Sequence, residues 1–347
     1  MKAWFIDGFG NYENLEFGDF TDTAPLKGEV RIRVRAACVN PIDRSVITGR
    51  FPWMQMPHIP GAEFAGEVVE RGEGTEAPER GRHVVVFPKL FCGECYYCIR
   101  GEQSACLANK HMESAPYIIG LQRNGGWSEF ATVPARNVME IPDGVPFEQA
   151  VTLPVDATTA LHLVSRCRPS VGEKALVMGA PGGVGSFALQ MLKMYGCEVI
   201  SVVGNREQAD MVRGLGSDHV IDRNLKDIVA EVRSITGGRG ADIVIDPLGS
   251  STLQTSVEAL APLGRYATCG ILTGPKAELS ILRLYSMQIE LVGSTSSNLP
   301  DMYAVLEMMG RSKLRGAVDS TFQFSEMRQA LSRLDQHGRL GKIVVKI

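Results

Sequence analysis

Apolar and charged positions alternate along Glu29-Val-Arg-Ile-Arg-Val-Arg35, the two-residue period of a strand with one face buried. Gly66-Glu-Val-Val-Glu70, His83-Val-Val-Val-Phe87 and Gly126–Pro134 repeat the pattern, with Gly and Pro between them. Short strands at close spacing predict a small barrel or sandwich. Near residue 155 the rhythm changes. Apolar runs at 174–179, 198–203, 219–222, 241–246, 265–269 and 289–293 alternate with helix-period stretches such as Phe187–Tyr195. Unbroken apolar strands separated by helices predict a parallel sheet covered on both faces, an α/β fold. From about residue 295 the chain reads as two helical stretches and a closing strand, 342–347.

Composition narrows the class of function. The chain has 347 residues, 44% hydrophobic and 22% charged, with 36 basic against 39 acidic side chains, as an ordinary globular protein has. A net charge of −3 leaves no basic surplus for a phosphate backbone, so nucleic acid is not the expected partner. No run approaches the 18 apolar residues of a membrane span. The start, MKAWFIDGFG, lacks the apolar core of a secretory signal. The expectation is a soluble, cytoplasmic, two-domain protein that acts on a small molecule.

Ala180-Pro-Gly-Gly-Val-Gly185 follows one strand, opens a helix and matches G-x-G-x-x-G with alanine in the first slot. Gly182, beside Gly183 and Val184, would let backbone approach a pyrophosphate, and Gly185 would let the helix lie close to the strand. The helix start adds free N–H groups for phosphate. A tight turn that binds nothing is the plainer alternative. Past the second apolar strand the chain reads Val203-Gly204-Asn205-Arg206. An NAD-preferring site puts a carboxylate at the place read here as Val203. Its absence, with Arg206 and Arg223 as cations for a 2′-phosphate, favours NADPH over NADH. Surface charge is the alternative for both arginines.

Four of the eight cysteines, Cys92, Cys95, Cys98 and Cys106, crowd one loop. Four thiolates close a tetrahedron and leave no open position, so one structural zinc is expected there. An iron–sulfur cluster or a metal-free loop are the rivals. Cys38, Cys167, Cys197 and Cys269 read as buried small hydrophobes.

Together these features resemble the medium-chain dehydrogenase/reductase superfamily along essentially the whole chain. The resemblance rests on Glu29–Val39, Pro60-Gly-Ala-Glu-Phe-Ala-Gly-Glu67, the cysteine loop, Gly125–Phe130, the Ala180–Gly185 turn and Gly341-Lys-Ile-Val-Val345. It implies a GroES-like, partly open β-barrel domain (1–155 and 295–347) with a Rossmann doubly wound parallel sheet (156–294), and an active site in the cleft between. Zinc alcohol dehydrogenases hold a catalytic zinc at positions that here read Asn40, Ala62 and Val155. The resemblance therefore implies that the structural zinc persists and the catalytic one is absent. Asn40-Pro-Ile-Asp43 resembles the quinone oxidoreductase branch; Asn40 would be a neutral donor, Asp43 an orienting group with no evident cause for a raised pKa, and Thr159 a neighbour of the nicotinamide. Phe51–Met56 would line an apolar pocket or simply pack the core. The function implied is NADPH-dependent hydride transfer to a quinone, enone or enoyl thioester. The alternatives are a zinc-dependent alcohol or aldehyde dehydrogenase with atypical ligands, drawing on Cys38, His58 or His162, and a non-catalytic NADPH-binding protein. By analogy, the strand at 289–293 would pair across a two-fold axis in a homodimer or homotetramer.

Overall fold

The computed structural model describes residues 1–347, which form two compact units. Met1–Thr158, Ser297–Gln336 and Lys342–Ile347 make the first; Thr159–Ser296 and His337–Gly341 make the second.

In the first unit, β1 (Lys2–Ile6) and β2 (Leu15–Asp19) form an antiparallel hairpin. The main strands follow as β3 (Glu29–Val39), β4 (Phe64–Arg71), β5 (His83–Val86), β6 (Phe130–Pro134) and β7 (Val138–Glu140). Helix α1 (Pro41–Ile47) leaves the end of β3, and α2 (Phe147–Ala150) precedes the junction with the second unit. The first half of β3 alternates buried and open positions, and its last four residues are all buried. That change follows from its neighbours: β4 covers one edge, while the other edge is shared between β6 at its start and the chain's final strand at its end.

The second unit begins on α3 (Thr158–Arg166) and carries β8 (Lys174–Val177), α4 (Gly183–Met194), β9 (Glu198–Val203), α5 (Arg206–Gly214), β10 (His219–Asp222), β11 (Ala241–Ile245), β12 (Leu260–Thr268) and β13 (Glu290–Gly293). All neighbours are parallel, in the order β10-β9-β8-β11-β12-β13. This is the doubly wound Rossmann arrangement. Its β8, β9 and β11 are apolar because helices cover both faces.

The chain then returns to the first unit with β14 (Val318–Gln323) and β15 (Lys342–Lys346). They complete the sheet order β14-β15-β3-β4-β5-β7, with β6 on β3, around a core that includes Phe64 and Trp127. This is the GroES-like, partly open barrel.

Four elements differ from the expectations. Neither strand of the β1–β2 hairpin nor β14 has a clean alternation: β1 buries Ala3, Trp4 and Ile6, while β2 and β14 leave most of their length at least partly open to solvent. The strand expected over Arg265–Cys269 begins at Leu260, where Pro262 and Gly264 hide the period. Gly126–Ser128 lies outside the strand that follows it, and a Cβ on Gly126 would stand 2.2 Å from the Phe64 ring.

Candidate active site

The ends of β3 and β4 and the start of β15 meet in the first unit. Register brings them together: Ile343 is opposite Val39, Phe64 is opposite Ala37, and the Cys38 N–H donates to the Glu63 carbonyl. Asn40 and Glu63, each one residue outside its strand, and Lys342, the first residue of β15, therefore converge.

Asn40 precedes α1, with Pro41 at the helix start, and its backbone N–H donates to Asp43 Oδ2 at 2.8 Å. Asp43 Oδ1 accepts from the backbone of Gly61 (3.2 Å) and Ala62 (3.1 Å). One carboxyl thus ties the helix start to the segment before β4. Gly61 permits that approach, since its φ is +104° and a Cβ would stand 2.4 Å from the Trp127 indole. The Asn40 side chain turns from the helix toward Glu63, donating through Nδ2 to Glu63 Oε2 at 2.9 Å. Glu63 Oε1 accepts from the Val155 N–H at 2.6 Å. Val155 and Asp156 lie in a single π-helical turn, Leu153–Ala157, a local widening that often marks functional positions. Lys342 Nζ closes the knot at 2.6 Å from each of Glu63 Oε2, Asp156 Oδ2 and Asn40 Oδ1.

Glu63, Asp43, Asn40 and Lys342 are all buried. Burial raises the pKa of Glu63, with the Lys342 ammonium opposing. Burial works against the Lys342 charge too, but Asp156 and Glu63 more than offset it and hold the ammonium above the ordinary lysine range. Burial pushes the Asp43 carboxyl up to about 7 against its backbone donors. That corrects the expectation of no cause for a raised pKa, since nothing in the sequence reveals how deeply Asp43 is enclosed.

The donors at the three family ligand positions do not fit a catalytic zinc. Ala62 and Val155 have no donor atom, and the Asn40 amide is engaged on both sides. Two of the three substitutes, His58 and Cys38, make hydrogen bonds of their own. His58 Nε2 pairs with the Gly120 carbonyl at 3.0 Å, His162 lies in the second unit, and the buried Cys38 thiol donates to the Val151 carbonyl. Thr159 is on α3, also in the second unit. Within Phe51–Met56, Phe51 and Met54 belong to the core, and Trp53 stacks on His111 with ring centroids 4.0 Å apart. A cavity of ≈ 640 Å³ beside Trp53 and His58 includes none of the knot residues.

The cysteine loop is a different kind of site. The sulfurs of Cys92, Cys95, Cys98 and Cys106 lie within 4.8 Å of one another, with Cys106–Cys92 at 3.7 Å and Cys92–Cys98 at 3.9 Å. Ligands about 2.3 Å from a tetrahedral zinc stand roughly 3.8 Å apart, so the set fits that ion. Backbone N–H groups of Leu107 and Cys98 draw the Cys95 thiol down to about 6, toward the thiolate that a metal binds.

In the second unit, Gly182 caps α4. A Cβ on Gly185 would stand 2.3 Å from the Gly179 carbonyl and 2.8 Å from Ala180 Cα, so only glycine lets helix and strand approach this closely. Val203 is fully buried within β9, paired with Asp222 of β10. Val203 is the last residue of β9, and Gly204 is the first past it. Asn205 caps α5 by accepting from the Gln208 N–H, and the Arg223 guanidinium lies against Gly204. Arg206 projects into solvent, 94% exposed and 3.9 Å from Asp210. Ser294 Oγ, just past β13, is buried without a hydrogen-bond partner, at the strand end where parallel sheets take ligands. The capped helix, the crowded Gly185 and this unmatched hydroxyl fit a pyridine dinucleotide.

Glu63, Asp156 and Lys342 were not singled out from the sequence. Glu63 and Lys342 lie inside motifs that carried the resemblance. A lysine abutting Ile343-Val-Val345 was the available signal; Asp156 gave none.

Residues 26–143 match the alcohol dehydrogenase GroES-like domain, and residues 183–311 match the zinc-binding dehydrogenase family. The chain is 30% identical to an NAD-dependent alcohol dehydrogenase of Sulfolobus acidocaldarius, covering 100% of both. It is 28% identical to an acryloyl-coenzyme A reductase of Metallosphaera sedula, covering 99% of both. Among solved structures, a cobalt- and zinc-bound thermostable alcohol dehydrogenase from Pyrobaculum aerophilum superposes with a TM-score of 0.90 at 35% identity, over 100% of this chain and 99% of that one. Fold, motifs and full-length relatives agree: the chain belongs to the medium-chain dehydrogenase/reductase superfamily and is an oxidoreductase.

Proposed function

We propose that the protein is an NADPH-dependent reductase without a catalytic zinc, acting on a conjugated acceptor such as a quinone, enone or enoyl thioester. The observation that carries this reading is that Ala62 and Val155 have no donor atom and that the Asn40 amide is engaged by Glu63 and Lys342. A catalytic zinc polarises a carbonyl and acidifies a bound alcohol. Without it, a conjugated acceptor is the easier substrate, because charge spreads onto an oxygen that neutral donors can hold. The acryloyl-coenzyme A reductase relative bears a name of that chemistry. A reduced nicotinamide, when bound, supplies the hydride. The residues of this chain bind and orient. Asn40, held by Lys342 and Glu63, keeps one amide hydrogen to offer. Asp43 fixes three backbone N–H groups and orients them, and solvent supplies the final proton.

The end of β9 carries the cofactor preference. Val203 there has no carboxylate to accept from a ribose 2′-hydroxyl, and Arg223, against Gly204, suits a 2′-phosphate, with Arg206 further out. The edge strand β13, with Leu291 exposed, suits pairing with a second copy in a homodimer or homotetramer. Eight cysteines with no disulfide among them suit the reducing cytoplasm.

NADPH oxidation, followed at its absorbance band against quinones, enones, enoyl-CoA esters and aldehydes with NADH in parallel, tests the reading. Turnover confined to alcohols and NAD would overturn it. The second reading, an alcohol dehydrogenase with atypical ligands, draws on the names of the relatives. Metal content separates the two, at one zinc per chain against two.

A further inference from the structure

Two lysines are buried, Lys342 and Lys89, and they differ in what surrounds them. Lys342 faces two carboxylates. Lys89, 1% exposed, pairs with none: its Nζ donates to the Ser104 carbonyl at 3.1 Å and to no charged oxygen. The main chain fixes it there. Lys89 bridges to Ile118 as in an antiparallel pair, and the buried Asn137 amide donates to the Lys89 carbonyl at 2.8 Å. Lys89 stands three residues before Cys92, and Ser104 stands two residues before Cys106, so the side chain ties the two ends of the cysteine loop together. A buried ammonium needs an anion nearby or it gives up its proton. Burial lowers the Lys89 pKa to about 8, and the groups that oppose burial are Cys106 and Cys98. No sulfur is among its hydrogen-bond acceptors, so the attraction is Coulombic and acts through the enclosed interior.

We propose that Lys89 is the internal counter-ion of the loaded cysteine loop: its buried ammonium offsets the negative charge that four thiolates and one zinc ion leave, and so tightens metal binding. The inference rests on the reading of the loop as a zinc site. Four thiolates around one zinc ion carry two net negative charges, and neutral thiols carry none. The loaded loop therefore supplies the anion that Lys89 lacks, and Lys89 supplies a cation that water cannot screen. Arg136 is a second cation beside the loop, donating to the Cys92 carbonyl at 3.0 Å, but it is exposed and its charge is screened. Partners just outside a metal's own ligands set its affinity by about tenfold to a hundredfold.

The test is a competition titration of zinc against a chelator of known affinity, repeated with cobalt so that the thiolate-to-cobalt charge-transfer bands can be read. Lys89→Met keeps most of the apolar stem and removes the charge. It is expected to bind zinc about tenfold to a hundredfold more weakly than the native chain. Its cobalt bands are expected to move to longer wavelength, because a sulfur without a cation nearby gives up electron density more easily. Arg136→Met is expected to leave both readings nearly unchanged. Weaker binding with unmoved bands would mean that the lysine stem only fills space, and it overturns the proposal. So does a Lys89→Met chain that binds zinc as tightly as the native one, a result that leaves the loop a zinc site. Should Lys89→Met fail to fold with zinc, Lys89→Gln, whose amide can still donate to the Ser104 carbonyl, is read in the same way; failure of both to fold overturns the proposal. A native chain that binds no zinc at the loop sinks both the proposal and the zinc site it rests on.

Discussion

The cysteine loop and the Asn40–Glu63–Asp156–Lys342 knot lie in the same unit and manage charge in opposite ways. The loop gathers four thiols from fifteen consecutive residues, Cys92 to Cys106, and fits a metal ion. The knot gathers its members from four distant segments, 40–43, 61–63, 155–156 and 342, and its cation is part of the chain. Cys92 and Cys95 are only partly buried, whereas Glu63 and Lys342 are enclosed by the sheet. A local cluster of soft ligands can hold its ion even if the surrounding fold loosens. A knot assembled by strand register exists only when β3, β4 and β15 are in place.

The largest expected effect is on the loop. Structural zinc contributes on the order of 10 kcal/mol in small zinc domains, so losing one ligand should be severe. Cys95→Ser is expected to lose the single zinc and to lower the unfolding midpoint by more than 10 °C, with the knot's chemistry little altered in the protein that remains folded. Elemental analysis and calorimetry check this. A Cys95→Ser protein that keeps both its zinc and its midpoint would show that the loop does not depend on metal.

Breaking the knot comes next. Glu63→Gln keeps the shape but removes one of the two charges that balance Lys342, and it turns an amide toward an ammonium. Removing one partner of a buried ion pair costs about 3–5 kcal/mol. Urea unfolding should show that loss while zinc content stays at one per chain. Coupled loss of zinc would mean that the two regions are not independent.

The same contrast explains what the sequence revealed. Cys92-x2-Cys95-x2-Cys98 is legible because its ligands are neighbours in the chain, and the Gly182–Gly185 turn because strand, turn and helix follow one another. The lost zinc positions were legible as absences. What surrounds them was not, because pairing of Lys342 with Asn40 depends on the β15–β3 register across 302 positions of sequence. The burial of Asp43 was hidden for the same reason. At the cofactor tip the strand end was legible, since β9 closes on Val203, but the burial of Val203 and the approach of Arg223 to Gly204 were not.

That tip supplies a smaller test of charge held at a surface. Arg223→Ala is expected to weaken NADPH about tenfold to a hundredfold and leave NADH nearly unchanged, from the roughly 1.5–3 kcal/mol of a hydrogen bond to a charged group. Arg206→Ala should cost less, since that side chain is 94% exposed. Val203→Asp should add an acceptor for a 2′-hydroxyl and shift preference toward NADH. Dissociation constants from fluorescence titration decide; equal losses for both cofactors would make Arg223 surface charge only.

The smallest effect sets the two regions against each other through pH. Asp43 has a folded-state pKa of about 7, against an ordinary value of 3.8, with burial as the cause. The folded chain therefore holds a proton that the unfolded chain has released between those values. Stability is full below about pH 4, falls as pH rises toward about 7, and is flat beyond, by about 1 kcal/mol per pH unit in that window. The cysteine loop has the opposite sign, because its ligands bind zinc as thiolates and acid releases the metal. Below roughly pH 5 the loop should weaken first; above it the knot should. Asp43→Asn keeps an acceptor for Gly61 and Ala62 but turns an N–H toward that of Asn40, so it should be less stable at every pH. It cannot ionise, however, so the gap between variant and native midpoints should narrow as pH rises from 5 to 7.5. Urea midpoints at those two pH values, with zinc content followed in parallel, give the answer. A gap that stays constant would mean that the Asp43 carboxyl is ionised throughout, its three backbone donors outweighing burial.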